Sequence, residues 1–149
     1  MKILVSSCLL GEPCRYDGKS KPVPALERLQ AEGHVLIPAC PEVLGGLPTP
    51  RAPAEVQPDS RVVDREGEDV TEAYRTGAEL ALERARAEGC TLAILKANSP
   101  SCGSRQIYDG SFSRTRIPGQ GLTARLFVQA GIPVLDEEQI DSLLHNGEP

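Results

Sequence analysis

MKILVSSCLLGEPCRYDGKSKPVPALERLQAEGHVLIPAC, residues 1–40, holds two apolar runs with a helical pattern between them. Residues 1–5 are apolar and β-branched and stop at Ser6-Ser7, which suits a strand buried on both faces. Residues 24–32 place Leu26 and Leu29 three apart, with Gly33 just beyond as a helix stop. Residues 34–40, HVLIPAC, form a second buried-strand candidate ended by Pro41. Strand, helix and strand follow one another within forty residues.

The alternation continues outward. A long proline-rich connection, PEVLGGLPTPRAPAEVQPDSRVV, leads to a helix over about 69–88, in which capping residues precede a periodic apolar face and Gly89 marks the end. TLAILK at 91–96 is a third strand, and a loop follows from 97 to about 119. Residues 121–130 read as a helix, 132–135 as a fourth strand and 136–144 as a closing helix. Strands alternating with helices predict a Rossmann-like or flavodoxin-like α/β fold: an open, mostly parallel sheet of about four strands flanked by helices, with ligands at the carboxyl ends of the strands. At 149 residues and 40% hydrophobic content, one domain over 1–149 is expected.

The composition excludes several partners. Five aromatics, no Trp and a net charge of -5 provide neither stacking platforms nor a polyphosphate-neutralising surface, so a nucleic acid polymer is not expected. No apolar run approaches the roughly 18 to 20 residues of a membrane span, and the opening segment lacks a secretory signal pattern, so the expected location is the cytoplasm. The chain is expected to act as a monomer or homodimer.

Five cysteines then need explaining, because structural disulfides are rare in a reducing cytosol. Cys8 lies three residues past the first strand, Cys40 closes the second and Cys102 lies six past the third. In a parallel sheet those loops share one edge, so the three thiols can converge despite separations of 32 and 62 residues. Cys90 precedes the third strand, at the opposite edge, and reads as a core thiol. Cys14 shares the first loop with Cys8 at a C-x5-C spacing and can reach the same edge. Three thiolates suit a zinc with an open position or a cubane iron–sulfur cluster with one iron free. The absence of any C-x2-C pair, with His34 and His145 outside the cysteine loops, favours iron–sulfur.

Other residues crowd that edge. Glu42 follows Cys40 by two positions and can serve as a general acid or base. Gly45-Gly46 and Pro48, Pro50 and Pro53 shape a stiff segment around Thr49 and Arg51. Ser99 and Ser101 put two hydroxyls within three residues of Cys102. Gly119-Gln120-Gly121 ahead of a helix can bind an anion at the helix N-terminus. Walker, G-x-G-x-x-G and G-x-S-x-G motifs are absent.

The segments SSCLLGEPCRYDG (6–18), CPEVLGGLPTPR (40–51), LKANSPSCG (95–103), IYDG (107–110) and GQGLTA (119–124) resemble, in order and spacing, the TudS-like thiouracil desulfidase family. The resemblance covers essentially the whole chain. It implies a Rossmann-like fold with a [4Fe-4S] cluster on Cys8, Cys40 and Cys102 and the fourth iron open. It also implies desulfidation of a thiolated pyrimidine, such as thiouracil or 4-thiouridine monophosphate, with Glu42 as catalytic carboxylate and Ser99 or Ser101 as the functional serine. The softness of iron suits it to a C=S sulfur, so hydrolytic desulfuration without net redox change is the expected chemistry. For a nucleotide substrate, Arg51, Arg105 or the helix start at Gly121 is the expected phosphate site. The alternatives are a non-catalytic cluster carrier or sensor, which has no use for Glu42 or the serines, and a thiol oxidoreductase using Cys8 and Cys14.

Overall fold

The strand β1 (Lys2–Ser6) lies inside a four-stranded parallel sheet of a computed structural model that describes residues 1–145. The helix α1 (Pro24–Ala31) leads to β2 (Val35–Ala39), and Cys40 precedes a one-turn helix α2 (Pro41–Leu44). The antiparallel pair β3 (Ala54–Val56) and β4 (Val62–Asp64) precedes the long helix α3 (Thr71–Glu88) and β5 (Leu92–Ile94). A second antiparallel pair, β6 (Gln106–Tyr108) and β7 (Arg116–Pro118), is followed by α4 (Leu122–Gln129), β8 (Val134–Leu135) and α5 (Asp141–His145).

The main sheet runs β2-β1-β5-β8, every neighbouring pair parallel. Counting only its own four strands, this is the flavodoxin-like order 2-1-3-4, whose switch point lies between β1 and β5. Both faces are covered, which is why the strands read as continuous apolar runs rather than alternating ones. Ile3, Val5 and Ile94 pack with Leu26, Leu29, Ile140 and Leu144 of α1 and the C-terminal segment. Leu4, Ala93 and Leu95 point the other way, onto Ala81, Ala85 and Phe127 of α3 and α4. Burying these side chains, at about 1.5–3 kcal/mol for each of the larger ones, is the dominant favourable term in the sheet's stability.

The proline-rich connection over 41–63 contains α2 and the β3–β4 pair. Two expectations need correction. The segment expected as a loop over 97–119 contains the β6–β7 hairpin. The closing helix is broken, since Asp136 caps a 3-10 turn at Glu137–Gln139 before α5 begins. These short strands pair for three residues each and are stabilised by docking: the Glu55 carboxylate on β3 accepts the N–H groups of Gly110 (3.0 Å) and Phe112 (3.2 Å). Residues 146–149 of the expected domain, and the side chain of His145, lie outside the described residues.

Candidate active site

The carboxyl ends of β1, β2 and β5 open on a cavity of about 620 Å³. Cys8 reaches it from a 3-10 turn, Ser7–Leu10, directly after β1. Cys40 reaches it as the residue before α2, and Cys102 from the turn after β5. The three thiols expected to converge therefore line one wall. Cys14 lines it too, and its thiol lies against those of both Cys8 and Cys40, so the loop between β1 and α1 contributes two sulfurs. Cys90 is buried among the apolar side chains under α3 and α4, outside the cavity. His34 stands at the other end of β2, its Nδ1 3.2 Å from the N-terminal amine.

Cys14, Cys40 and Cys102 hold their protons in the metal-free chain. The Cys40 hydrogen bond pulls Cys14 down, but its bond with Cys8 and burial outweigh that and push it up to about 11. Cys40 is raised by its hydrogen bond with Cys14 and by burial. Burial pushes Cys102 up to about 12, although Ser6 Oγ donates to its sulfur at 3.3 Å. Soft donors of this kind ionise when they take a metal. Among the described residues no three His, Cys, Asp or Glu side chains gather closely enough for one metal ion. Four soft sulfur donors on one wall, brought there by different elements, suit a soft metal centre.

Glu42, on the first turn of α2, faces the same cavity with its two oxygens in different surroundings. Oε2 accepts from Arg51 Nε (3.1 Å), Arg51 Nη2 (2.7 Å) and the Tyr74 hydroxyl (3.2 Å). Among the described residues Oε1 receives only the Ser99 hydroxyl, at 3.5 Å. Tyr74 was not singled out from sequence, where it is one more large residue on the core stripe of α3. Burial and the Glu42 charge raise its phenol well above 10, so it remains a proton donor to the carboxylate.

The two serines separate. Ser99 lines the cavity, and its Oγ accepts the N–H groups of Ser101 and Cys102, each at 3.0 Å, while its proton is left for Glu42. Ser101 is fully buried, bonded to Thr123 Oγ1 at 2.7 Å, and does not line the cavity. The three residues expected to meet a phosphate stand in different surroundings. Arg51 is 7% exposed and spends its donors on Glu42, Pro48 O, Thr49 Oγ1 and Cys14 O. Arg105 lies outside the cavity, paired with Asp136 and Glu138. At the start of α4 the N–H groups of Gly121, Leu122 and Thr123 are already bonded to the carbonyls of Gly103, Pro100 and Ser101. The cationic side chains that do line the cavity, besides Arg51, are Arg15, Arg65, Lys96 and Arg114.

A flavodoxin-like sheet with soft thiols and a braced carboxylate at its switch point defines an α/β protein with its candidate site at the carboxyl edge of the sheet. The chain belongs to the 2-thiouracil desulfurase family, whose model matches residues 3–139. It is 44% identical over 151 residues to the uncharacterized protein YbbK of Bacillus subtilis (strain 168), covering 95% of this chain and 99% of that protein. A solved structure, the [4Fe-4S]-dependent thiouracil desulfidase TudS, is 50% identical with a TM-score of 0.90, covering 96% of this chain and 95% of that one.

Proposed function

We propose that this chain is a [4Fe-4S]-dependent desulfidase that converts a thiolated pyrimidine and water into the oxo-pyrimidine and hydrogen sulfide, with Cys8, Cys40 and Cys102 holding the cluster. The observation that carries this reading is the cavity itself: four thiols and one carboxylate oxygen, Glu42 Oε1, turned to the same space. When bound, the cluster supplies a thiophilic Lewis acid at the iron without a protein thiolate. Glu42 Oε1 takes a proton from the water that replaces sulfur, and the Ser99 hydroxyl orients that water against the ring carbon. Substitution of sulfur by oxygen leaves every oxidation state unchanged, so no electron donor is required. The Cys14 carbonyl accepts from Arg51 Nη2 and lies 3.8 Å from Cys40 Sγ, which gives this residue a backbone role that survives loss of its thiol.

The cavity is of the size that holds a drug-sized ligand rather than a lone ring. Arg15, Arg65 and Arg114 on its wall suit a nucleotide 5′-phosphate, as in 4-thiouridine monophosphate. Iron and sulfide analysis of anaerobically prepared protein, with single Cys→Ala replacements, tests the ligand set. Cluster loss is expected for Cys8, Cys40 and Cys102, and retention for Cys14 and Cys90. Sulfide release from thiouracil and its nucleotide tests the chemistry: a Glu42→Ala protein with intact cluster and full turnover overturns the role of Glu42. No sulfide release from reconstituted wild-type protein supports a cluster carrier instead.

A further inference from the structure

The two oxygens of Glu42 are treated unequally, and Arg51 and Tyr74 cause it. Oε2 is saturated by three donors, two from Arg51 and one from Tyr74, whereas Oε1 keeps its lone pairs for the cavity. Arg51 is itself immobilised by two further stretches of chain, 48–49 and 14–16. Its Nη1 donates to Pro48 O and Thr49 Oγ1, its Nη2 also to Cys14 O, and its backbone N–H to Tyr16 O at 2.7 Å. Tyr74 comes from α3, which meets α2 where Gly45 and Gly77 let the backbones touch: a Cβ at Gly77 would stand 1.9 Å from Pro41 O. Rotation of the carboxylate would break a buried ion pair in which both side chains are under 15% exposed, and leaving either charge unpaired there is costly.

From this geometry we infer that Arg51 and Tyr74 are positioning residues of the reaction, holding Glu42 by one oxygen so that the other faces Ser99 and the substrate's water. The inference rests on the role given to Glu42 above and adds two residues that act through its carboxylate. Its energetic logic is that the carboxylate meets the reacting water already oriented, and displacements of about 1 Å at such a group cost on the order of a hundredfold in rate.

Steady-state kinetics of Tyr74→Phe and Arg51→Lys, each alone and in a Glu42→Gln background, tests this on preparations matched for iron content, with crystal structures of both variants. Tyr74→Phe keeps the ring and the packing, so it guards against a folding defect in the arginine variant. Expected are a fall in kcat of about tenfold for Tyr74→Phe, one hydrogen bond to a charged group, and of about a hundredfold for Arg51→Lys. KM is expected to change little, and Glu42 to swing away from Ser99 in both crystal structures. In the Glu42→Gln background neither variant is expected to lower kcat further, because the oriented oxygen is already disabled. Losses that multiply with Glu42→Gln, a raised KM at constant kcat, or a Glu42 carboxylate left in place overturn the inference. If Glu42→Gln alone keeps wild-type kcat, it is the role of Glu42 that fails, a result distinguishable from failure of the positioning argument alone.

Discussion

Ser99 and Ser101 stand two residues apart in one turn, yet their hydroxyls do different things. Ser99 Oγ ties down the Ser101 and Cys102 amides and offers its proton to Glu42, whereas Ser101 Oγ is closed in a pair with Thr123. Ser99→Ala is therefore expected to lower kcat by about a hundredfold or more, the usual scale for a lost proton-transfer partner, measured as sulfide release per cluster. Ser101→Ala is expected to keep kcat and cost about 1–3 kcal/mol by stranding the buried Thr123 hydroxyl, a drop in Tm of several degrees by calorimetry. The reverse pattern would transfer the catalytic role to Ser101. Sequence order alone does not separate the two, because both sit within three residues of Cys102 and within the reach of one turn. The cysteines were readable for a different reason: position relative to strand ends is a topological fact that a parallel sheet converts into proximity. The sequence marks Arg51 as a candidate phosphate contact and Tyr74 as a residue of the α3 stripe; their bonds to Glu42 are not legible there, since partner choice for a guanidinium or a phenol is settled only when α2, α3 and the 48–51 segment meet.

Among the elements, α2 depends most on its neighbours. A four-residue helix cannot stand alone, because nucleation costs more than one turn of hydrogen bonds returns. It is held by its contact with α3, in which Gly45 and Gly77 allow carbonyl-to-backbone approach. Gly77→Ala is expected to lower stability by about 2–3 kcal/mol through overpacking and, by pushing α2 outward, to lower kcat as well. Denaturant unfolding and sulfide release on one preparation read both effects, and a variant as stable and as active as wild type would show that α2 is held elsewhere. The same reasoning explains which elements could be foreseen. β1, β2, β5 and α3 carry their own periodicity and boundaries. The β3–β4 and β6–β7 pairs do not, being three residues long and fixed by tertiary partners such as Glu55. They nevertheless complete the cavity, for Glu55, Tyr108 and Phe112 line its far wall.

At the scale of the whole molecule, the chain is acidic while its cavity is not. The net charge is -5, yet Arg15, Arg51, Arg65, Lys96 and Arg114 line the cavity against Glu42 and Glu55. Arg51 is cancelled by Glu42, and Lys96 is paired with Glu137 at 3.1 Å. The uncancelled positive charge is thus concentrated on Arg15, Arg65 and Arg114, with Arg65 placed 5.8 Å over the Phe112 ring. A cleft of one sign within a protein of the other focuses the field on its mouth and speeds capture of an oppositely charged ligand. Raising ionic strength from about 0.05 M to about 0.5 M shortens the screening length from more than 10 Å to well under it. Under that change, kcat/KM for 4-thiouridine monophosphate is expected to fall about five- to tenfold, while kcat/KM for neutral thiouracil holds constant. Arg114→Gln, on an exposed loop outside the thiol wall, is expected to remove part of that salt dependence without altering turnover of the free base. Equal activity on base and monophosphate at low salt would mean that the arginines serve the fold of the cavity wall and not the capture of a phosphate.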